Sequence, residues 1–596
     1  MKNPFSVQTP EDITAKEAYD LFVDVFTDFY QIPNQGHAFI HGPRGSGKSM
    51  MFRYMMPDCQ ALKKDSTFDK LDYFSIYIPI KKTDLNVINL DRLENHAQHL
   101  LNEHLLVTHI ATIVFEYLIY LLKEHHDKTN IGNNKEALNF LNSSFIPILK
   151  LIGYKYEKPV KREDLIIPIF EEIRDICKSI HKETRDYINK LFLNTVVPYT
   201  GSICSYLDFL FPMLCDLKQI SIFPKNKPIF ILIDDADNLN LAQTRILNSW
   251  VSYRTSSEVS LKISTQLKYK SYRTVTNQTI DSPHDYSEVN IATIYTSSKN
   301  KFYKRVKDIV EKRIKIYLNK DIDALDFFPE NSEQESRILE IGETIKNNYE
   351  TEGKGASAAD DVKRYARPDY IKSLKEKRSG STYSYAGFEQ LVSVSSGIVR
   401  YFLEPASLMY GEYYTAQSGD IMSIPHQVQD DIIQKYSSAY LLTEFKKIFL
   451  EENNENTTEL LSTSDMLMNL IEALGGMFHI ILISNSSERR VFSIALSSNP
   501  SKILNKVLQL GVSFGYLHES TIGNKQGTGR TKLYILSRLL APHFKLDPTS
   551  FAGYKFINAE VLELSLTKPK EFIVRMKRDI NSLGQDHSIN QLKIEF

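Results

Sequence analysis

The sequence has little cysteine: Cys59, Cys177, Cys204 and Cys215 are the only four among 596 residues. They are widely spaced and include no C-x-x-C pair, which argues against a zinc ribbon and against a disulfide-stabilised scaffold. From its cysteine usage we therefore expect a reduced, cytoplasmic protein.

Charge of one sign is not in excess either. The chain has 72 Lys and Arg residues against 73 Asp and Glu residues, a formal net charge of −1 at pH 7. This balance gives no global electrostatic reason to bind nucleic acid, so any such reason must be local. With 42% hydrophobic and 24% charged residues, the composition is typical of a soluble globular chain with about three or four domains.

Segments typical of membrane proteins are also lacking. The N-terminal residues Met1–Phe5 contain no apolar signal core. The longest apolar run, Leu105–Leu122, contains His109 and Glu116, which favours a buried helix of a large soluble protein over a membrane span. We therefore expect no membrane partner.

A phosphate-binding loop is the most specific feature present. Residues Gly42–Ser49 match the pattern G-x-x-x-x-G-K-[ST], between an apolar strand at His37–His41 and a helix that starts near Met50. Lys48 would reach the β- and γ-phosphates and the Ser49 hydroxyl would hold Mg²⁺. The flanking strand and helix disfavour a chance glycine turn. The predicted nucleotide-binding residues are Gly42, Pro43, Arg44, Gly45, Ser46, Gly47, Lys48 and Ser49.

A second motif supports the first. Residues Pro228–Asp237 read as a buried strand that ends on paired acids. In a parallel sheet that strand end lies next to the phosphate loop, so Asp234 would hold the Mg²⁺ shell and Asp235 would polarise an attacking water. The stretch between the two motifs is almost wholly helical over residues 91–218, which we interpret as an insertion.

Other strands and helices complete a parallel α/β pattern. The additional predicted strands are Tyr73–Ile80, Val259–Thr265 and Glu288–Ile291. The predicted amphipathic helices are Ala15–Tyr30 and Phe302–Tyr317. Four histidines of the insertion have spacings of three, five and five, which favours solvated helix faces over a metal site. They are His96, His99, His104 and His109.

The C-terminal third has the pattern of a winged helix. We predict a first helix at Asp465–Leu474, a strand at His479–Ile483 and a second helix at Glu488–Leu496, although Arg489–Phe492 could equally pair as a strand. A third helix would begin at Asn499–Pro500. The wing hairpin would pair Phe514–Leu517 with Lys532–Leu536.

Basic residues on the third helix and wing suit contacts with DNA phosphates. They are Lys502, Lys506, Lys525, Arg530 and Lys532. A protein-interaction role for the same domain stays open, because winged helices also serve that purpose and the local charge excess is modest.

The domain boundaries follow from these patterns. We predict an ATPase base at 1–300 with its insertion at about 91–218, and a helical lid at 301–430 with a disordered-like segment at about 345–384. The winged helix would occupy 431–550, followed by a C-terminal tail at 551–596.

With these motifs in place, the chain resembles the initiator clade of AAA+ ATPases, in particular bacterial proteins related to origin-recognition ATPases. The matching stretches are Asn3–Phe5, the phosphate loop, Ile233–Asp237, Lys262–Gln266 and Ser395–Arg400. The resemblance implies an α/β AAA+ P-loop parallel sheet with a large helical insertion, a helical lid and a C-terminal winged helix.

The resemblance also implies residue roles. Thr265 would be sensor 1, Arg400 sensor 2 in the lid, and Arg273 the trans-acting arginine finger, with Arg254 as the fallback. One departure is that Asp235 stands where AAA+ proteins usually have Glu, which suggests slow, switch-like hydrolysis.

Three functions compete. The first is an ATP- and Mg²⁺-dependent ATPase that couples nucleotide state to homo-oligomerisation and DNA binding, in antiviral or mobile-element defence. The second is a signalling switch that holds and releases a partner effector protein without DNA. The third is a nucleotide-bound scaffold without useful turnover.

Overall fold

In the computed structural model the chain forms two compact units, Gln8–Ile294 and a second that joins Met1–Val7 to Tyr295–Phe596. The structure describes residues 2–583 apart from 8, 24–30, 81–89, 91–92, 94, 129–133, 159–164, 194–197, 254–256, 268, 292–298, 377–381, 418–419, 453–460, 524–529 and 550–552.

The first unit contains a parallel five-stranded sheet in the order β2-β3-β4-β1-β5. Its strands are β1 (His37–His41), β2 (Phe74–Pro79), β3 (Ile229–Asp234), β4 (Val259–Thr265) and β5 (Tyr286–Asn290). The predicted parallel α/β core is therefore confirmed. The register pairs His41 with Thr265 and Pro79 with Asp234, so the phosphate loop after β1 and the acids at the end of β3 lie at the same carboxyl edge, on either side of β4.

Nine α-helices belong to the first unit within the described residues. They are α1 (Ala15–Leu21), α2 (Lys48–Met55), α3 (Pro57–Lys64), α4 (Asn95–Glu124), α5 (Asn134–Phe140), α6 (Ile146–Leu151), α7 (Ile166–Leu193), α8 (Phe211–Leu217) and α9 (Leu241–Ser252). The predicted helix Ala15–Tyr30 is shorter than expected, because α1 ends at Leu21 and Phe22 is extended. Residues 24–30 of that prediction lie outside the described residues.

The helical insertion shares its core with the sheet. Buried residues of α4 and α7, such as Val114 and Phe170, belong to one continuous apolar cluster with Ile76 of β2 and Ile231 of β3. Among the residues that the structure describes, the insertion therefore covers one face of the sheet and shares its apolar core with it.

One of the four insertion histidines is not solvated as expected. His104 is fully buried; its Nδ1 accepts from the Cys204 amide at 2.8 Å, and its Nε2 lies 2.8 Å from the Thr184 hydroxyl. Burial lowers its pKa to about 4, so it is a neutral, hydrogen-bonded core residue. No group of metal-ligating side chains occurs in the described part of the chain.

The second unit is mostly helical. Its helices are α10 (Lys299–Leu318), α11 (Ala324–Phe327), α12 (Ser332–Asn347), α13 (Tyr349–Glu352), α14 (Ala358–Glu376), α15 (Phe388–Val394), α16 (Val399–Ala416), α17 (His426–Glu452), α18 (Thr463–Ile483), α19 (Lys502–Ser513), α20 (Ala541–Phe544), α21 (Ala559–Thr567) and α22 (Pro569–Leu583). The N-terminal segment also packs here, because Phe5 is fully buried against Phe327, Phe328 and Tyr410.

The segment predicted to be disordered-like at 345–384 contains the helix α14. Arg367 of that helix makes two hydrogen bonds to Glu335 of α12, at 3.0 and 2.8 Å, and another to the Tyr383 hydroxyl at 2.9 Å. Packing against α12 thus orders a polar stretch that composition alone assigns to a linker. Residues 377–381 lie outside the description.

A four-stranded sheet in the order β7-β8-β6-β9 lies in the C-terminal part of this unit. The strands are β6 (Val491–Leu496), β7 (Leu517–Gly523), β8 (Arg530–Leu536) and β9 (Gly553–Ile557). Strands β7 and β8 form a hairpin, as predicted. Its second arm nearly matches the predicted Lys532–Leu536, but its first arm begins at Leu517, where the predicted arm Phe514–Leu517 ends.

Two predictions in this region are wrong. Residues 479–483 are the last turns of α18, and residues 491–496 form a strand instead of the second helix. The pair Gly475–Gly476 looks like a turn in sequence, but it lies inside α18, where a Cβ would come within 2.4 Å of Phe544 and 2.7 Å of Ile573. Close packing, not a turn, requires these glycines.

Helices α4 and α18 are the two described segments that are long and apolar enough to span a membrane, over His96–Glu124 and Thr463–Ile483. In the structure, 67% and 56% of their most apolar windows are buried within protein. Each is packed as a core helix of its unit.

Candidate functional site

The phosphate loop leaves β1 at Gly42 and enters α2 at Lys48. Gly45 and Gly47 have φ values of 81° and 101°, in the left-handed region that favours glycine. Gly42 is needed for space, because a Cβ there would lie 2.9 Å from the Ser46 hydroxyl. The first N–H groups of α2 have no acceptor within the helix, so the loop and helix start offer donors to an anion.

Lys48 is buried in the loop that it follows. Its Nζ donates to the carbonyls of Gly42 at 2.7 Å and Pro43 at 3.1 Å. Burial lowers its pKa, and the negative charges of the nearby acids, Asp234 first, oppose that shift. An ammonium has three donors, so one remains for a ligand phosphate.

Asp234 ends β3 and is only 2% exposed. Its Oδ2 accepts from the Tyr77 hydroxyl at 2.8 Å, and its Oδ1 accepts from the Ser264 hydroxyl. A carboxylate has about four lone-pair positions, so these two bonds orient it and leave capacity for a metal or its water.

Asp235 has an unusual backbone conformation and a raised pKa. Its φ is 55°, in the left-handed region, and its amide donates to the Ser264 hydroxyl at 3.0 Å. Burial, then repulsion from Asp234 and Asp237, raises its pKa to about 6. Asp tolerates this backbone region better than Glu does, which gives a physical reason for the Asp-Asp pair.

A third acid, missed in the sequence analysis, belongs to the same cluster. Asp237 accepts from the Gln266 side-chain amide at 2.8 Å through Oδ2, while its Oδ1 is buried without a hydrogen-bond partner among the described residues. Its charge also acts on the pKa of Lys48 and of Asp235. The only sequence signal was its place two residues after Asp235.

Thr265, the predicted sensor 1, is fully buried at the end of β4. Its hydroxyl donates to the Gln266 carbonyl at 3.2 Å, whereas the residues on either side of it contact the acids. Ser264 bonds Asp234 and Asp235, and Gln266 bonds Asp237. The hydroxyl and amide that reach the acid cluster are therefore those of Ser264 and Gln266.

Arg273, the predicted finger, lies in the connection between β4 and β5. Its backbone is fixed by an isolated bridge to Thr279 and by the Asn248 side-chain amide, which donates to its carbonyl at 2.9 Å. Its side chain is exposed. Arg254, the fallback, lies outside the described residues.

Arg400, the predicted sensor 2, belongs to the second unit, in the first turn of α16. Its side chain is 44% exposed and lies 3.6 Å from Glu404, one turn along the helix. Its role stays a prediction.

The geometry of the first unit fits a nucleoside triphosphate with Mg²⁺. The cradle offers glycine-rich backbone and the buried Ser46 hydroxyl, which has no hydrogen-bond partner among the residues that the structure describes. Hard oxygen ligands, which Mg²⁺ prefers, are available from Ser49, half-buried in α2, and from Asp234. The structure thus brings the loop, Lys48, Ser49 and the acids to one sheet edge.

The predicted DNA-contacting residues lie on α19 and the hairpin. Lys502 and Lys506 are exposed on α19, and Ile503 beside them is 51% exposed. Arg530 starts β8 and is exposed, while Lys532 pairs with Glu519 at 2.9 Å. Lys525 lies outside the described residues.

Comparison with known proteins identifies a family. The profile of the ORC-CDC6-like family matches residues 3–352 and 339–556. No curated protein matches the chain. Two solved structures from Aeropyrum pernix align over nearly the whole chain at 9% identity.

The first of these is the ORC1 protein in complex with DNA, with a TM-score of 0.28 and coverage of 96% of this chain and 97% of that chain. The second is the ORC2 protein in ADPNP-ADP complexes, with a TM-score of 0.29 and coverage of 98% of each chain.

Proposed function

Because the chain belongs to the ORC-CDC6-like family, we propose that it is an AAA+ ATPase that couples ATP binding and hydrolysis to oligomerisation and DNA binding. The observation that carries the proposal is the convergence of Lys48, Asp234 and Asp235 at one edge of a parallel sheet. Members of this family are nucleotide-hydrolysing ATPases, which bind ATP with Mg²⁺.

The chain's own residues divide the work. The loop amides and the free donor of Lys48 hold the phosphates, and Ser49 with Asp234 would hold Mg²⁺, which neutralises phosphate charge when bound. Tyr77 and Ser264 fix the Asp234 carboxylate. The ionised Asp235 accepts a hydrogen bond from the attacking water and so orients it.

Arg273 and Arg400 complete the site in this proposal. Transition-state charge spreads over the γ-phosphate oxygens, so cations that arrive only when subunits or lobes close make hydrolysis conditional. The exposed side chain of Arg273 on a fixed backbone suits presentation to a neighbouring subunit.

The DNA contacts are proposed for the C-terminal region, through a winged helix formed by α18, β6, α19 and the hairpin of β7 and β8. Lys502, Lys506 and Arg530 are exposed and suit phosphate contacts. The single helix between β6 and β7 makes this a reduced version of the predicted winged helix.

The test is DNA-stimulated ATPase activity of the full chain. We expect Mg²⁺-dependent turnover that rises with duplex DNA and is lost in Lys48→Ala, with the exposed Lys16→Ala as the matched control that leaves it unchanged. Turnover that persists in Lys48→Ala would overturn the site, and turnover indifferent to DNA would overturn the coupling.

For the biological setting we propose a bacterial cytoplasmic protein of antiviral or mobile-element defence, on the resemblance alone. Cells that carry the wild-type chain should resist phage and cells that carry Lys48→Ala should not. Equal plaque counts in both would remove the defence role and leave the ATPase intact. The effector-switch alternative gains no support from the insertion, since its core is continuous with the sheet.

A further inference from the structure

The outer face of α22 carries a group of exposed cations. The inner side of this helix buries Phe572, Met576 and Ile580, which recur every four residues and are each at most 5% exposed. The outer side bears four basic side chains over about two turns. These residues, which we name the α22 basic face, are Lys570, Arg575, Lys577 and Arg578.

The acids of the same helix do not neutralise this face. Glu571 pairs with Lys568 at 3.2 Å, and the charge of Asp579 acts on Lys555 of β9, where it opposes the fall in pKa that burial causes. None of the four cations forms an ion pair within the described part of the chain. Unpaired like charges on one face repel each other, so the arrangement stabilises nothing by itself.

We propose that the α22 basic face binds the phosphate backbone of nucleic acid, without reading sequence. The inference rests on the proposed DNA-binding function but adds a surface that the α19 and hairpin residues do not include. Residues 570 and 578 are about 12 Å apart along a helix, a length over which a duplex presents several phosphates.

A lipid surface fits this face less well. A membrane-binding amphipathic helix inserts a large apolar face between the lipid headgroups. In α22 that apolar stripe is buried in the protein, and Val574 is the one apolar side chain more than half exposed among the described residues of the outer face. A surface that carries charge but has little apolar area to insert favours binding to a nucleic-acid backbone over binding to a membrane.

Helices α22 and α19 pack on opposite sides of α18. A Cβ at Gly511 of α19 would lie 3.1 Å from Leu467, and a Cβ at Gly476 would lie 2.7 Å from Ile573 of α22. Positions 467 and 476 are nine residues apart, which is about 180° around a helix. The two surfaces therefore contact different stretches of a duplex, and a long or bent duplex is needed to reach both.

The experiment measures binding of the full chain to 20- and 60-base-pair duplexes of unrelated sequence over a range of salt. In K570Q/R575Q/K577Q/R578Q we expect the affinity for the long duplex to fall by about tenfold or more. The slope of log affinity against log salt concentration should be shallower by about 0.9 for each lost phosphate contact. The short duplex should be affected less. The charge-conserving variant K570R/R575K/K577R/R578K should bind as wild type, and thermal unfolding should be unchanged in both.

Two matched variants separate this inference from the proposed function. K150Q/K155Q/K182Q/K190Q removes four exposed cations from the insertion and should leave binding unchanged. K502Q/K506Q/R530Q/K532Q tests the predicted DNA-contacting residues of α19 and the hairpin. If only this second variant weakens binding, the α22 basic face is overturned and the proposed function stands.

If only the α22 variant weakens binding, the inference stands and the winged-helix contacts are lost from the proposed function. If wild type binds neither duplex, both are overturned. Binding of wild type to phosphatidylserine vesicles but not to DNA, lost in the α22 variant, would assign the face to a membrane and overturn the inference.

Discussion

The carboxyl edge of the five-stranded sheet and the basic surfaces of the C-terminal region are both rich in charge, but the charges of the first are buried and those of the second are exposed. At the sheet edge Lys48 and Asp234 are at most 6% exposed, and burial shifts the pKa of Lys48 downward and that of Asp235 upward. On α22 the cations are exposed to water and salt. Substitutions at the edge should therefore have large effects that persist in salt, and substitutions on the surfaces small ones that salt weakens.

Arg273 is the strongest test of this comparison, because its side chain is exposed and its substitution is nevertheless expected to cause the largest loss of turnover. If a neighbouring subunit buries it against the γ-phosphate, Arg273→Ala should reduce turnover by about a thousandfold or more while ATP affinity survives. Nucleotide binding and single-turnover hydrolysis would be measured on the same preparation.

Mixing supplies the control for Arg273. Arg273→Ala protein retains an intact nucleotide site, and Lys48→Ala protein retains the arginine, so a mixture of the two should regain part of the wild-type turnover. Mixing without recovery, or full turnover in Arg273→Ala alone, would place the finger elsewhere, with Arg254 as the next residue to test.

Asp235 tests the buried side of the comparison. Asp235→Asn should lower turnover by about a hundredfold, because the carboxylate that orients water is gone. Without nucleotide it should raise the free energy of unfolding at pH 7 by about 1–3 kcal/mol, because burial and the neighbouring acids raise the pKa of Asp235 to about 6. Asn also tolerates the left-handed backbone at this position.

The sign of this stability effect follows from linkage. A raised native pKa means that the stability associated with the protonated Asp235 is present below its unfolded pKa and is lost as pH rises through about 6. The gain in Asp235→Asn should thus be largest at pH 7 and shrink toward pH 4. Denaturant unfolding at several pH values measures it, and exposed Asp127→Asn should show no such gain. A loss of stability at pH 7 would contradict the raised pKa of Asp235.

The same pKa predicts the pH profile of the wild-type enzyme. The kcat/KM for ATP reports groups of the free enzyme, so it should rise with pH through about 6 and then level off. Asp235→Asn should lose this rise in its residual activity. A profile that is flat between pH 5 and 7 in wild type would remove Asp235 as the group that orients water.

The motifs of the sheet edge could be predicted because each is local in sequence. The loop Gly42–Ser49 and the strand ending at Asp234 carry their spacing within ten residues, and the structure brings them together. The contacts of Ser264 and Gln266 with the acids could not be predicted, because they depend on the register of β4 against β3. Side chains alternate between the two sides of an extended chain, so Thr265 lies on the side opposite to Ser264 and Gln266.

The C-terminal region was harder to predict for a different reason. A mostly apolar run such as residues 477–483, interrupted only by His479, fits a strand or a buried helix equally, and tertiary packing decides between them. The strand at Val491–Leu496 exists because β8 and β9 pair with it on either side. Likewise, α14 is ordered by its contacts with α12, which no local pattern records.

Ser264 and Thr265 refine the assignment of sensor 1. Ser264→Ala removes a hydroxyl that bonds both Asp234 and the Asp235 amide, so turnover should fall about tenfold. Thr265→Val keeps the shape of the side chain and removes only a bond to a backbone carbonyl, so we expect a smaller loss. Steady-state kinetics of both variants measure these losses of turnover. A larger loss of turnover in Thr265→Val than in Ser264→Ala would restore Thr265 as sensor 1.

The smallest expected effect concerns the exposed pair of Lys532 with Glu519, which lie 2.9 Å apart on the hairpin. Glu519→Gln frees the Lys532 charge for a phosphate, so DNA affinity should rise about two- to threefold at low salt and return to the wild-type value at high salt. Anisotropy of a labelled duplex measures this, with exposed Glu343→Gln as the control. Weaker binding in Glu519→Gln would mean that the pair holds the hairpin in shape, because a screened surface charge alone cannot act in that direction.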